Sequence, residues 1–131
     1  METPYNIDQK QARRIFAGLA KYGYLYNNQF LRWWETFCDF ESEYFKLLNE
    51  TGILKTQKLT WHGTLGELGF MATELYGVDR WKRLEYFYKL PNGKLNVRAV
   101  QATLSRIGHR NLPDKYPHLA AIFEGIKKRN T

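Results

Sequence analysis

The chain has 131 residues, a formal net charge of +7, 44% apolar residues and 25% charged ones. That length suits one domain whose core needs no disulfide or metal staple, and that balance excludes an intrinsically disordered chain. Cys38 is the single cysteine, which excludes an intramolecular disulfide, and no apolar run approaches the roughly 20 residues of a membrane span or resembles a signal peptide.

The first helix is expected from Asp8, where Asp8 and Gln11 make a variant of the capping box. Ala12, Ile15, Phe16, Leu19 and Tyr22 then recur at helical spacing, Arg13 and Arg14 point outward, and Gly23 ends the run. A long second helix is expected from about Asn28 to Asn49. Its apolar stripe is Phe30, Trp33, Trp34, Phe37, Tyr44, Phe45 and Leu48, and Glu35, Asp39, Glu41 and Glu43 make its other side acidic. Gly52 lies just past the end, where a left-handed cap belongs. Cys38, between Phe37 and Phe40, reads as a buried thiol.

Residues 50–60 read as a connector with a short extended piece, Lys58 to Trp61. It separates an N-terminal helical lobe, 1–57, from a C-terminal lobe, 58–131, within one compact domain. The third helix opens with a true capping box, Thr64 and Glu67. Leu65, Leu68, Met71, Ala72 and Leu75 mark its inner face, and Gly77 stops it. Asp79 is placed to cap a fourth helix. There Trp81, Leu84, Phe87 and Tyr88 face inward and Arg80, Lys82, Arg83 and Glu85 face outward.

The stretch "FYKLPNGKLN" admits two readings. One is a β-hairpin with strands Tyr86–Leu90 and Lys94–Val97. The other is a helix ended by Pro91, a tight Asn92-Gly93 turn and a new helix capped by Asn96. Alternation is poor because Tyr86, Phe87 and Tyr88 are contiguous, which favours helix–turn–helix. A helix to about Tyr86 followed by a short extended segment lies between the two. The fifth helix runs from about Val97 to Ile107 and stops at Gly108. Val97, Val100, Leu104 and Ile107 form one face. Arg98, Gln101, Ala102, Ser105 and Arg106 form the other, with His109 just beyond and no acid among them. Gly108–Pro117 reads as a wing or a loop. The sixth helix begins near Pro117, with Leu119, Ile122, Phe123 and Ile126 inward and Lys127-Lys128-Arg129 at its end.

Charge is distributed unevenly. Residues 1–60 carry eight basic and seven acidic side chains, and residues 61–93 carry four of each. Residues 94–131 carry eight basic ones (Lys94, Arg98, Arg106, Arg110, Lys115, Lys127, Lys128, Arg129) against Asp114 and Glu124. A localised positive field is what a polyanion-binding face requires. Arginine and glutamine can pair bidentately with guanine and adenine edges, and small residues between them permit close approach. The fifth helix therefore reads as a recognition helix in a mainly α protein whose C-terminal part is a tri-helical helix-turn-helix or winged-helix-like unit. Arg98, Gln101 and Ser105 are the candidates for base contacts. Lys94, Thr103, Arg106, Arg110 and Lys115 are the candidates for phosphate contacts.

Catalysis and metal binding have thin support. His62, His109 and His118 are isolated in sequence, no histidine–cysteine spacing suits zinc, and the glycines of "GTLGELGF" lie within an amphipathic helix with no Lys-Ser/Thr after them. No cofactor and no enzymatic activity are expected.

The segments "LTWHGTLGELGFMATELY", "RLEYFYKL" and "LNVRAVQATLSRIGHRN", about half the chain, resemble the C-terminal half of the RteC family. Those proteins are helical regulators carried on conjugative transposons and implicated in control of excision. The matching elements are Trp61, Gly63, Glu67, Leu68, Glu85, Tyr86, Phe87, Asn96, Val97, Arg106 and Arg110. The resemblance implies a DNA-binding regulator with a winged-helix-like C-terminal part.

The expectation is thus a cytoplasmic, soluble regulator of transcription or mobile-element excision that binds double-stranded DNA, with no membrane partner, and a homodimer is compatible with it. A protein-interaction module, or a small phage or mobile-element inhibitor, is the rival class. It would use the basic face or an aromatic surface around Trp33, Trp34 and Phe37. Aromatics are 16% of the chain, and the rival depends on some of them being exposed. RNA binding is a third reading, with Tyr86, Tyr88 or Tyr116 as stacking platforms beside the arginines.

Overall fold

The structure is a computed structural model and describes residues 1, 3–5 and 7–126 in full, with the backbone alone of 127–130. The expected basic cluster Lys127–Arg129 lies outside the described side chains. In chain order the helices are α1 (Gln9–Lys21), α2 (Phe30–Glu35), α3 (Glu43–Glu50), α4 (Ile53–Thr56), α5 (Leu65–Tyr76), α6 (Arg80–Phe87), α7 (Val97–Ile107), α8 (Leu112–Lys115) and α9 (Pro117–Asn130). Two short strands, β1 (Leu59–Thr60) and β2 (Tyr88–Lys89), pair in parallel with Leu59 opposite Tyr88. The fold is mainly helical, as the sequence leads one to expect.

Local chemistry explains where several helices start. Asp8 accepts a hydrogen bond from the Gln11 amide at 2.7 Å, and Asn96 accepts one from the Arg98 amide at 3.0 Å. Thr64 and Glu67 exchange both bonds of the capping box. Each cap satisfies an amide that the helix itself leaves open. Asp79 does not cap α6 as expected. Its carboxylate turns inward, to the Tyr5 hydroxyl at 3.3 Å and to Arg83 at 3.4 Å.

α5 is the centre of the packing. Leu68, Phe70, Met71, Ala72, Leu75 and Tyr76 are all buried, on several sides of the helix. α6, α7 and α9 pack around it, while α1 rests against α2 and α9. The close seat of α7 on α5 depends on two glycines. A Cβ on Gly69 would stand 2.8 Å from Leu104 Cγ, and one on Gly66 would collide with the Tyr116 hydroxyl. Two helix backbones approach this closely only where side chains are missing.

The expected single helix from Asn28 to Asn49 is broken. α2 ends at Glu35, and α3 starts only after Ser42, whose hydroxyl accepts from the Phe45 amide. Arg83 sits at the break and satisfies its carbonyls. It was expected on the outer side of its helix, yet none of its side chain is exposed. Its Nη1 donates to the Thr36 carbonyl at 2.8 Å and to the Cys38 carbonyl at 2.7 Å. The guanidinium also lies over the Phe40 ring, 4.1 Å from its centroid. Those two carbonyls take their donor from the cation at the point where the helical run is interrupted. Periodicity could not reveal this, because the partner lies 47 positions away.

A relay of hydroxyls runs beside the break. The Thr36 hydroxyl donates to the Trp33 carbonyl at 2.6 Å, so its oxygen is left to accept from Tyr76 at 2.6 Å, and Tyr76 accepts from Tyr88 at 2.7 Å. Thr36, Tyr76 and Tyr88 are buried, and each is satisfied by the next. Burial pushes the Tyr76 and Tyr88 hydroxyls above the usual tyrosine range. Burial raises Tyr5 to about 12, with Arg83 opposing, and raises the Cys38 thiol to about 11, again against Arg83.

The stretch from Tyr86 to Asn96 takes the intermediate form. α6 continues to Phe87 and the chain then extends as β2. The turn closes through Leu90 N–H to Gly93 O at 2.9 Å and Gly93 N–H to Leu90 O at 3.0 Å. No short helix–turn–helix connector results, because β2 pairs with β1 and Tyr88 is drawn into the relay. α7 packs chiefly on α5 rather than on α6. The segment Gly108–Pro117, expected as a wing or a loop, is a single 3-10 turn, His109–Asn111, followed by α8.

Replacing Arg83 with Met leaves two buried carbonyls without a donor and should lower stability by about 3–5 kcal/mol in a urea melt. Gly69→Ala should cost about 1–3 kcal/mol by overpacking against Leu104. Because the raised groups hold protons in the folded state that the unfolded chain has already lost, stability should fall as pH rises from about 9 through about 12. Thermal melts across that range read the loss, and a spectrophotometric titration should show Tyr5, Tyr76 and Tyr88 ionising only as the fold is lost.

Candidate nucleic-acid interface

α7 buries Val100 and Leu104, half-buries Val97 and Ile107, and turns its other side to solvent. Arg98, Ala102, Ser105 and Arg106 are exposed on that side, and Gln101 is half-buried at its margin. Eight positions at 1.5 Å rise put Arg98 and Arg106 about 12 Å apart along the axis. The helix carries no acid. Among the described residues, no ion pair involves Arg98, Arg106 or Arg110.

The flanks divide the remaining candidates. Lys94 is exposed before the helix, and Arg110 and Lys115 are exposed after it. Thr103 is half-buried, and its hydroxyl donates to the Ala99 carbonyl at 2.9 Å and accepts from Arg106 Nη2 at 3.3 Å. Its one proton is spent inside its own helix, so Thr103 orients Arg106 instead of donating to a phosphate. The Asn111 side chain donates to the Ile107 carbonyl at 2.7 Å and closes the end of α7. Between α7, the start of α5 and α8 lies an open groove of about 850 Å³. Arg106, Lys115, Tyr116 and Asp114 line it, so Lys115 acts beside a carboxylate.

The other end of α7 carries cations that the sequence reading did not assemble. Lys94 and Arg98 share a cleft of about 410 Å³ with Glu85. A neighbouring cleft of about 450 Å³ shares Glu85, Lys94 and Leu95 and adds Lys55, Lys58 and Lys89. Lys58 Nζ donates to the Glu85 carbonyl at 2.6 Å. Burial holds the Lys58 ammonium below the usual lysine range; Glu85 opposes that and Lys94 adds to it. The parallel pairing of β1 with β2 brings Lys58 and Lys89 beside Lys94, and no local spacing in the chain announces that pairing.

The aromatic candidates fare differently. Trp33 and Phe37 have no exposed surface, and Trp34 is half-buried against the core. They pack on Phe16, Phe30 and Tyr76, so Trp33 and Phe37 offer no side-chain surface to the partner that the rival reading would place there. Tyr88 is buried in the hydroxyl relay, and Tyr86 packs edge-on against Phe45 at 5.4 Å. Neither is free to stack on a base. Tyr116, half-buried at the groove, keeps its place beside Arg106.

The histidine that looked isolated is not. His118 Nε2 lies 2.5 Å from the Tyr24 hydroxyl, which also donates to Glu67, and Glu67 Oε2 lies 3.8 Å from His118. Tyr24 stacks on Trp61 at 4.8 Å. The cluster ties the loop after α1 to the starts of α5 and α9, and burial with the Glu67 contact raises the Tyr24 hydroxyl. Among the described residues, no group of three or more His, Cys, Asp or Glu side chains is placed to hold a metal, and no helix is long and apolar enough to cross a membrane. No family model, curated protein or solved structure matches the chain.

Proposed function

We propose that this chain is a DNA-binding regulatory protein, acting in transcription or in mobile-element excision, that lays the outer face of α7 in the major groove. The observation that carries this reading is the composition and exposure of that face. Two exposed arginines flank Ala102 and Ser105, with Gln101 at the edge and no acid on the helix. The major groove of B-DNA is wide enough for a helix, and this face has donors for base edges and small residues where the groove floor comes close.

Support from behind matters as much as chemistry. Leu104 seats on Gly69, so α7 packs closely against the buried centre of the molecule with its other face outward. Arg98, Gln101 and Ser105 would read bases. Lys94, Arg106, Arg110 and Lys115 would grip phosphates. The regulatory part of the reading comes from the sequence resemblance to the RteC family alone; no family model matches the chain. Duplex DNA is favoured over RNA because the major groove of A-form helices is too deep and narrow for side chains to read, and because Tyr88 is not available for stacking.

Binding to duplex DNA should weaken steeply between about 50 and 200 mM salt, since phosphate neutralisation releases counterions. Arg98→Ala or Gln101→Ala should flatten the preference among sequences by about 1–3 kcal/mol per base contact, while Arg110→Ala or Lys115→Ala should weaken all sequences alike. Gel shifts over a salt series measure both. Affinity indifferent to salt, or unchanged when Arg98, Arg106 and Arg110 are all alanine, overturns the reading.

A further inference from the structure

We infer that Lys55, Lys58, Lys89 and Lys94 form a phosphate clamp that extends the α7 footprint along the DNA backbone beyond the groove that the helix enters. The inference rests on the DNA-binding reading above and adds a second, sequence-blind contact surface to it.

Four segments converge there. Lys55 comes from α4, Lys58 from the residues before β1, Lys89 from β2 and Lys94 from the residues after the Leu90–Gly93 turn. All four line one cleft, whose lining contains a single acid, Glu85. That cleft shares Glu85, Lys94 and Leu95 with the cleft holding Arg98. The cationic surface is therefore continuous from Lys55 to the first turn of the proposed recognition helix.

Lys58 is the least ordinary member. Its ammonium is fixed by the Glu85 carbonyl at 2.6 Å, and it is half-buried close to Lys94. Like charges gathered around a cleft repel one another, and a bound phosphate relieves that repulsion while releasing counterions. A lysine is a compact point charge on a flexible stem, which suits a sugar–phosphate backbone and carries no base preference. The arginine-bearing face of α7 and the lysine-bearing cleft thus divide the labour of reading and holding.

The test is fluorescence anisotropy of the full chain on a mixed-sequence duplex across the same salt range. Lys55, Lys89 and Lys94 are changed together to Gln, with Lys58→Gln measured separately because its amine also bonds a backbone carbonyl. Thermal melts of each variant check the fold. The triple variant should lower the slope of log K against log salt by about 3, and Lys58→Gln should lower it by about 1. Relative affinities among sequences should stay the same. A triple variant with unaltered slope and affinity, in a protein whose binding is still lost on changing Arg98, Arg106 and Arg110, overturns the clamp and leaves the α7 reading standing. A wild-type chain that does not bind duplex DNA at low salt overturns both.

Discussion

Arg83 donates from the interior to the Thr36 and Cys38 carbonyls while its guanidinium lies between the rings of Phe40 and Tyr5. A cation so far from water survives only where acceptors and aromatic faces replace its hydration. Meeting that demand sets the course of the chain. It accompanies the break in the aromatic-rich segment after Glu35 and ties α6 to the Thr36–Cys38 stretch. Once α6 is held there, its end delivers Tyr88 to Tyr76 and Lys89 to the side of β1.

The same interaction explains what was legible in the sequence and what was not. α7 was readable to its last residue because everything that defines it is local: the Asn96 cap, the Val97–Val100–Leu104–Ile107 stripe and the stop at Gly108. α5 was readable for the same reason, through Thr64 and Glu67. The acid-free face of α7 followed directly from that stripe. The break within residues 28–49 was not readable, because apolar spacing continues through it while the partner of its carbonyls lies on another helix. Arg83 stands among Arg80, Lys82 and Glu85, and spacing alone assigns it to their face. Nor could Lys55, Lys58 and Lys89 be joined to Lys94, since a two-residue parallel pairing leaves almost no pattern in either strand.

Glycines in "GTLGELGF" illustrate a subtler limit. The stretch has the amphipathic pattern of a helix, and it forms one, but pattern does not say why glycine stands at 66 and 69. The reason is on the partner helix and in the segment after it: Leu104, Ile107 and Tyr116 occupy the space that side chains would need. A poor helix-forming residue is tolerated because it lets α7 sit close, and tertiary packing outweighs a propensity cost of about 1 kcal/mol.

Cations in this chain therefore divide by burial into two kinds. Arg83 is spent on structure: its main hydrogen-bonding partners are backbone carbonyls, and removing it exposes them to nothing. Arg98, Arg106 and the exposed lysines around Glu85 contribute little to holding the fold, because surface charges facing water are screened and among the described residues the ion pairs of the molecule lie elsewhere. Gathering like charges on one face costs stability through self-repulsion rather than adding to it. A fold that spreads its acids over the other helices and loops while leaving α7 without any keeps a positive field on that face, which an anion from outside can satisfy. That asymmetry between the buried arginine, whose Nη1 is held by backbone carbonyls, and the exposed ones, which make no ion pair among the described residues, is the physical ground for looking for a polyanion at α7.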